Sequence, residues 1–209
     1  MEVRQALADI AEMRVRIATV QRFEGYSGNA AIASGLVAIL AGAVQAAIAP
    51  QPHTTAERAA YLAIWMSCLG LALAINYGAI LLWRTRNRDV QAGMQFRTVG
   101  WSILPAIAAG GTITIGLVER QLVELLPAMW CAAYALGLFA SRALVPRAVT
   151  AVAVAFGAVA ALLLLIPQIG PLSWWIMPLA FGLGQIAIGL LVRRDARETD
   201  AARPLRAAQ

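Results

Sequence analysis

The sequence has no lysine, one histidine, two cysteines and 11 acidic residues in 209 positions. Each scarcity excludes a kind of chemistry. His53, the single histidine, cannot by itself supply a bis-histidine haem or a His-rich zinc site of the hydrolytic type. Cys68 and Cys131 both lie inside apolar runs, so no disulfide framework is expected and both read as small, inert hydrophobes. No Asp, Arg or His stands in the middle of any apolar run, which leaves no aspartate dyad and no plausible Ser-His pair. Gly182-Leu183-Gly184 lacks the strand-to-helix setting of a nucleotide loop. Neither an enzyme, nor a metal, nor a cofactor is expected. All 17 basic residues are arginine, which fits GC-rich coding and points to a bacterial source.

What the chain has in abundance is apolar surface. Sixty per cent of its residues are hydrophobic, 13% are charged, and the mean hydropathy is +0.69. A soluble domain of this length has too little polar surface to cover such a composition, so the class is integral membrane. Crossing the hydrocarbon core takes about 20 predominantly apolar residues, with a range of roughly 17 to 25. Six stretches meet that requirement: Gly28 to Ala49, Tyr61 to Trp83, Val99 to Val118, Leu122 to Ala140, Val149 to Ile166 and Trp174 to Val192. The expected fold is therefore all-α: a polytopic bundle of six transmembrane helices over residues 28–192, preceded by a cytoplasmic leader at 1–27 and followed by an arginine-rich tail at 193–209.

Orientation follows from the arginines, because cytoplasmic loops retain them. The leader, the second link (Arg84, Arg86, Arg88, Arg97), the fourth link (Arg142, Arg147) and the tail (Arg193, Arg194, Arg197, Arg203, Arg206) are basic. Opposite links hold only Arg58 and Arg120, each next to a glutamate. Both termini are thus expected in the cytoplasm, and the protein in a bacterial inner membrane. RTRNR at residues 84–88 reads as a topology signal and lipid-phosphate anchor, not as a nucleic-acid patch. Ala47-Ile48-Ala49 resembles a cleavage site, yet the apolar run before it is longer than a signal peptide's, so the first span is expected to stay.

In the leader, Val3, Leu7, Ile10, Met13, Ile17 and Val20 recur at spacings of three and four, which predicts an amphipathic helix over residues 2–23. Such a helix docks on its own bundle, lies on the inner leaflet, or pairs with a cytoplasmic partner or a second copy through residues 2–22. Small residues mark where helices approach in lipid. Ala30, Ser34, Ala38, Gly42 and Ala46 form one stripe; Ala106, Gly110 and Thr114 form a second; Ala153, Gly157 and Ala161 form a third.

The candidate ligand-facing residues lie on the fourth and sixth spans. Glu124, Pro127, Cys131 and Tyr134 share one helical face leading inward from a carboxylate. Helix rise puts Tyr134 and Gln185 at matching depth near the midplane, so they are expected to bond as interhelical glue or to line a shallow pocket.

The stretch LPAMWCAAYALGLFASRALVPR at 126–147, followed by FGLGQ at 181–185, resembles a group of six-span bacterial membrane proteins marked by LPxxW, LFASR and FGxGQ, to which no activity is assigned. The resemblance implies the six-span architecture and singles out Arg142 and Gln185. The function expected is a non-enzymatic accessory, sensory or scaffold component of the membrane; the rival is a small permease or exporter acting as a dimer through the Glu124 to Tyr134 face and Gln185.

Overall fold

The computed structural model describes residues 26–87, 90–142 and 145–207. The leader helix expected over residues 2–23, the partner surface expected on it, and Arg88 lie outside the described residues. Among those described, the chain is all-helical, with six α-helices and no strand: α1 (Gly28–Ile48), α2 (Thr55–Arg86), α3 (Val90–Glu119), α4 (Leu126–Ala140), α5 (Val149–Leu165) and α6 (Leu183–Ala207). A 3₁₀ turn at Val123–Leu125 leads into α4, and a π-helical turn at Pro178–Gly182 leads into α6.

Local chemistry sets the helix starts. Ser27 caps α1, its hydroxyl oxygen accepting from the Ala30 amide. Thr54 and Glu57 form a reciprocal capping box on α2, and the Glu57 carboxylate also accepts from the His53 amide at 2.8 Å. Pro127 occupies the first turn of α4, where its missing N–H has no intrahelical acceptor in any case. Between α3 and the 3₁₀ turn, Gln121 adopts φ 60°, the left-handed conformation that reverses the chain there.

Among the described residues, three helical segments, Gly28–Ile48, Thr55–Arg86 and Val123–Ala140, are long and apolar enough to cross a membrane. Helix α5 has 17 residues, at the lower bound for a span, and α3, a helix of 30 residues, holds the further apolar stretch Leu104–Glu119 among the described residues. The expected span from Trp174 to Val192 starts in a turn at Trp174 and Trp175, is helical from Ile176, and carries a π turn over Pro178–Gly182 before regular α-helix resumes at Leu183. That helix continues through the arginine-rich tail to Ala207.

Helices α1 and α6 form the central contact, antiparallel and unusually close. A Cβ added to Gly35 would fall 2.6 Å from the Gly182 carbonyl oxygen, and one added to Gly28 would fall 2.6 Å from the Gly189 carbonyl oxygen. At the third level a Cβ on Gly42 would overlap the Pro178 ring. The sequence spacing of Gly28, Gly35 and Gly42 is seven residues, two helical turns, so all three return to one face and let the backbones meet. Helix α2 lies along the other side of α1, and α4 pairs with both α3 and α5. Links between α2 and the α3–α4 pair come from rings: Tyr61 stacks on Trp130 at 6.4 Å with planes 2° apart, and the Trp130 indole donates to the Thr114 hydroxyl at 2.8 Å.

The small-residue stripes are only partly contacts. Ala30, Ser34, Ala38 and Gly42 are buried, while Ala46 is half-exposed because the interface turns toward Gln45. Gly110 faces Ala133 of α4, 3.9 Å from Cβ to Cβ. The third stripe is corrected: a Cβ on Gly157 would meet nothing within 4 Å, and Ala161 is exposed. The buried ridge of α5 is Val149, Ala153, Phe156, Ala160 and Leu163, since Phe156 inserts against bare Gly184 and rotates the helix away from Gly157.

Replacing Gly35 with alanine should therefore cost about 1–3 kcal/mol, because one backbone must retreat. The same change at Gly157 should stay within about 1 kcal/mol of neutral, as helix propensity is all that changes there. Thermal denaturation of the two variants in detergent measures the contrast.

Candidate functional site

Two polar centres lie inside the bundle. The first is built on Gln45, a fully buried residue on α1. Its amide nitrogen donates to the Leu172 carbonyl at 2.7 Å and, longer, to the Ala49 carbonyl at 3.4 Å. Its carbonyl oxygen accepts from the Trp65 indole of α2 at 2.8 Å. One side chain thereby ties α1, α2 and the loop before α6, and the Trp174 amide reinforces the tie by donating to the Pro50 carbonyl at 3.0 Å. The Gly170 turn, at φ +68°, brings Leu172 within reach.

Beside this clamp, Arg58 on α2 pairs with Glu124 ahead of α4 at 3.3 Å. Tyr61, one turn further along α2, is wholly buried between Trp65 and Trp130, and its hydroxyl has no hydrogen-bond partner.

The second centre lies deeper. The Gln185 amide nitrogen donates to the Tyr134 hydroxyl oxygen at 2.7 Å, joining α6 to α4. Tyr134, Phe156 and Phe181 surround that bond as a triangle of rings with centroids 4.7, 5.4 and 5.0 Å apart and planes near 60° to one another. The Gln185 carbonyl oxygen is buried without a partner. Turning the amide over would give that oxygen the Tyr134 proton and leave the nitrogen unpaired, so either orientation leaves one hydrogen-bonding position unfilled. A further buried bond, Asn76 donating to Ser34 at 2.6 Å, links α2 to α1.

Of the residues singled out on the fourth and sixth spans, Tyr134 and Gln185 come together. Cys131 is fully buried and packs with Ala135, Phe156 and Ala180. The Glu124 carboxylate is turned to Arg58, and Pro127 and Cys131 on the same face are buried. A groove of about 580 Å³ opens between α5 and α6, lined by apolar side chains from Ala148 and Leu191 to Val159 and Leu179. Among the arginines, Arg86, Arg142, Arg147, Arg193 and Arg194 are exposed and Arg84 is half-buried, donating to the Asn87 carbonyl. Arg194 also pairs with Glu198 at 2.8 Å.

Among the described residues, no group of three or more His, Cys, Asp or Glu side chains is placed to hold a metal. No family model, curated protein or solved structure matches the chain. In the stretch from Leu126 to Arg142, Trp130 is the ring stacked on Tyr61, and Ser141 closes α4 by donating to the Gly137 carbonyl.

The two glutamines should differ in cost. Gln45→Leu leaves the Trp65 N–H and the Leu172 carbonyl unpaired in the core, at about 1–3 kcal/mol for each. Gln185→Leu breaks one bond and removes an already unpaired oxygen, for about 0.6–2 kcal/mol. Unfolding of both variants under identical detergent conditions should rank Gln45→Leu as clearly the more damaging, and equal losses would contradict the assignment of Gln45 as the clamp.

Proposed function

We propose that the protein crosses the bacterial inner membrane six times with both termini in the cytoplasm, and that it serves there as a non-enzymatic accessory, sensory or scaffold component. The observation that carries this reading is how the buried polar groups are used. Gln45, Trp65, Ser34, Asn76, Thr114 and Trp130 bond to one another or to backbone across helix boundaries, so they hold the bundle together and line no path through it. Catalysis or ion-coupled transport within a membrane draws on ionisable side chains facing the interior. Arg58 and Glu124, the interhelical ion pair, sit at the helix ends beside the loops.

The assignment of six crossings rests on the alternation of arginines between links and on the matching ends of the helices. Tyr26, Val145 and Val192 pack together around one cluster at the arginine-bearing end, as three cytoplasmic chain segments would. The arginines of that end are anchors for lipid phosphate, worth about 1 kcal/mol each near an anionic surface.

The permease reading keeps one specific support. A π-helical turn ends three residues before Gln185, and such turns recur at functional sites because they unpair or re-aim a backbone group. A small neutral ligand with a hydrogen-bond donor would fit the unpaired Gln185 oxygen beside Tyr134.

Single cysteines introduced near His53 and at Gly170, in a background lacking Cys68 and Cys131, should react with an impermeant thiol reagent from outside the cell. Cysteines replacing Arg86 and Arg147 should react only after permeabilisation. Labelling in the reverse pattern overturns the topology. Thermal stabilisation by a small solute that is lost in Gln185→Leu would replace the accessory reading with the permease one.

A further inference from the structure

The groove between α5 and α6 has a length, a lining and an end that together identify an occupant. It runs from Ala148 and Leu191 to Val159 and Leu179. The eleven helical steps from Ala148 to Val159 span roughly 16 Å at 1.5 Å per residue, about half of a ~30 Å hydrocarbon core and hence one leaflet. Much of its lining is small, with Ala151 and Ala155 contributed by α5 and Gly184 and Ala187 by α6.

Both walls continue into arginine. On α6 the lining positions Gly184, Ala187 and Leu191 recur at three and four residues, and the next step on that stripe is Arg194. On α5 the lining positions Val159, Ala155 and Ala151 step back to Arg147 in the same way, and Arg147 belongs to the helical turn that starts α5, its carbonyl accepting from the Thr150 amide at 3.0 Å. Both guanidinium groups are exposed. Arg193 differs, since its side chain lies over Gly28 of α1.

We propose that this groove seats one acyl chain of an anionic phospholipid of the arginine-side leaflet, with the lipid phosphate held between Arg147 and Arg194. The site deepens the membrane reading given above and rests on it. Glu198 competes for Arg194 from one turn further along α6, so the lipid phosphate displaces an exposed carboxylate when it binds. A zwitterionic lipid fills the groove equally well with its tail, and the two arginines set the preference for net negative charge.

Full-length protein is reconstituted into vesicles of equal parts phosphatidylcholine and phosphatidylglycerol, extracted, and weighed by native mass spectrometry with its retained lipids. Wild type should carry phosphatidylglycerol in preference. R147Q and R194Q should each lower that preference about fivefold, the equivalent of about 1 kcal/mol per arginine. A155W, which fills the groove, should lose both lipids, whereas V154W, on the neighbouring face of α5 that is 57% exposed and off the groove, should keep them. E198Q should strengthen the preference. An unchanged preference in the double arginine variant, retention in A155W equal to that in V154W, or a dimer whose mass is lipid-free each overturns the site. Cysteine labelling from the two sides is read separately: reversed topology with lipid retained removes the orientation alone, and correct topology with no retained lipid removes the site alone.

Discussion

The close approach of α1 and α6 is the contact on which the remaining geometry depends. Carbonyl oxygens of Gly182 and Gly189 occupy space that any side chain on Gly35 or Gly28 would fill, so α1 and α6 meet backbone to backbone. In lipid this is where association energy comes from, because apolar tails solvate a leucine as well as a neighbouring helix does. Dispersion between surfaces that fit is what remains, and glycine gives the largest surface at the shortest range. Joining these two helices in this way draws α2 and the turn before α6 onto the same contact. It also sets Pro178 against Gly42, which fixes where the loop before α6 must lie and brings the Leu172 carbonyl over Gln45.

From that placement the polar interior follows. Each helix contributes few side chains with hydrogen-bonding groups, and in an apolar surrounding an unpaired one costs more than it does in water. Gln45 is satisfied on both ends of its amide because a loop carbonyl and an indole arrive from opposite sides. Gln185 is satisfied on one end only, and Tyr61 not at all. The loop end of the bundle is therefore bolted by hydrogen bonds and an ion pair, while the middle of α6 depends on ring packing around Tyr134. Helix α5 contributes Phe156 to that packing through a gap left by Gly184, and tilting the ring inward is what separates α5 from α6 on the outer side and leaves a groove there.

Much of this was legible in the sequence wherever a fixed helical repeat carries the information. The matched depth of Tyr134 and Gln185 needed only the 1.5 Å rise and the span ends, and the two side chains meet. Buried Ala30, Ser34, Ala38 and Gly42 lie on the expected stripe, yet the closest contact uses a different period, the seven-residue repeat of Gly28, Gly35 and Gly42. Four-residue spacing draws attention because it is the commoner small-residue pattern, and only the partner helix reveals which of two overlapping stripes touches it. Gly157 failed for the same reason, as spacing marks a smooth face without saying what lies opposite. Gln45 went unremarked as a site because its partner is a backbone carbonyl 127 residues away, and a carbonyl carries no sequence signal. The partner of Glu124 carries no local signal either, since Arg58 is 66 residues distant and no helical spacing pairs them.

The outer surface carries the argument about solvent further than any one helix does. Leu40 is 66% exposed on α1, Leu136 68% on α4 and Leu165 80% on α5, and exposed leucines recur along α2 and α6. In water such a distribution would drive association, because monomeric soluble proteins rarely leave large contiguous apolar patches uncovered. Here large apolar side chains stand outward along the helices, while Gln45, Trp65 and Ser34 are buried and hydrogen-bonded inside the bundle. That inversion is stable only where the surroundings offer dispersion but no hydrogen bonds, which is the property of a hydrocarbon core. The same condition sets the value of each buried pair, since without water to compete, losing the Trp65 to Gln45 bond leaves its two ends with nowhere else to turn.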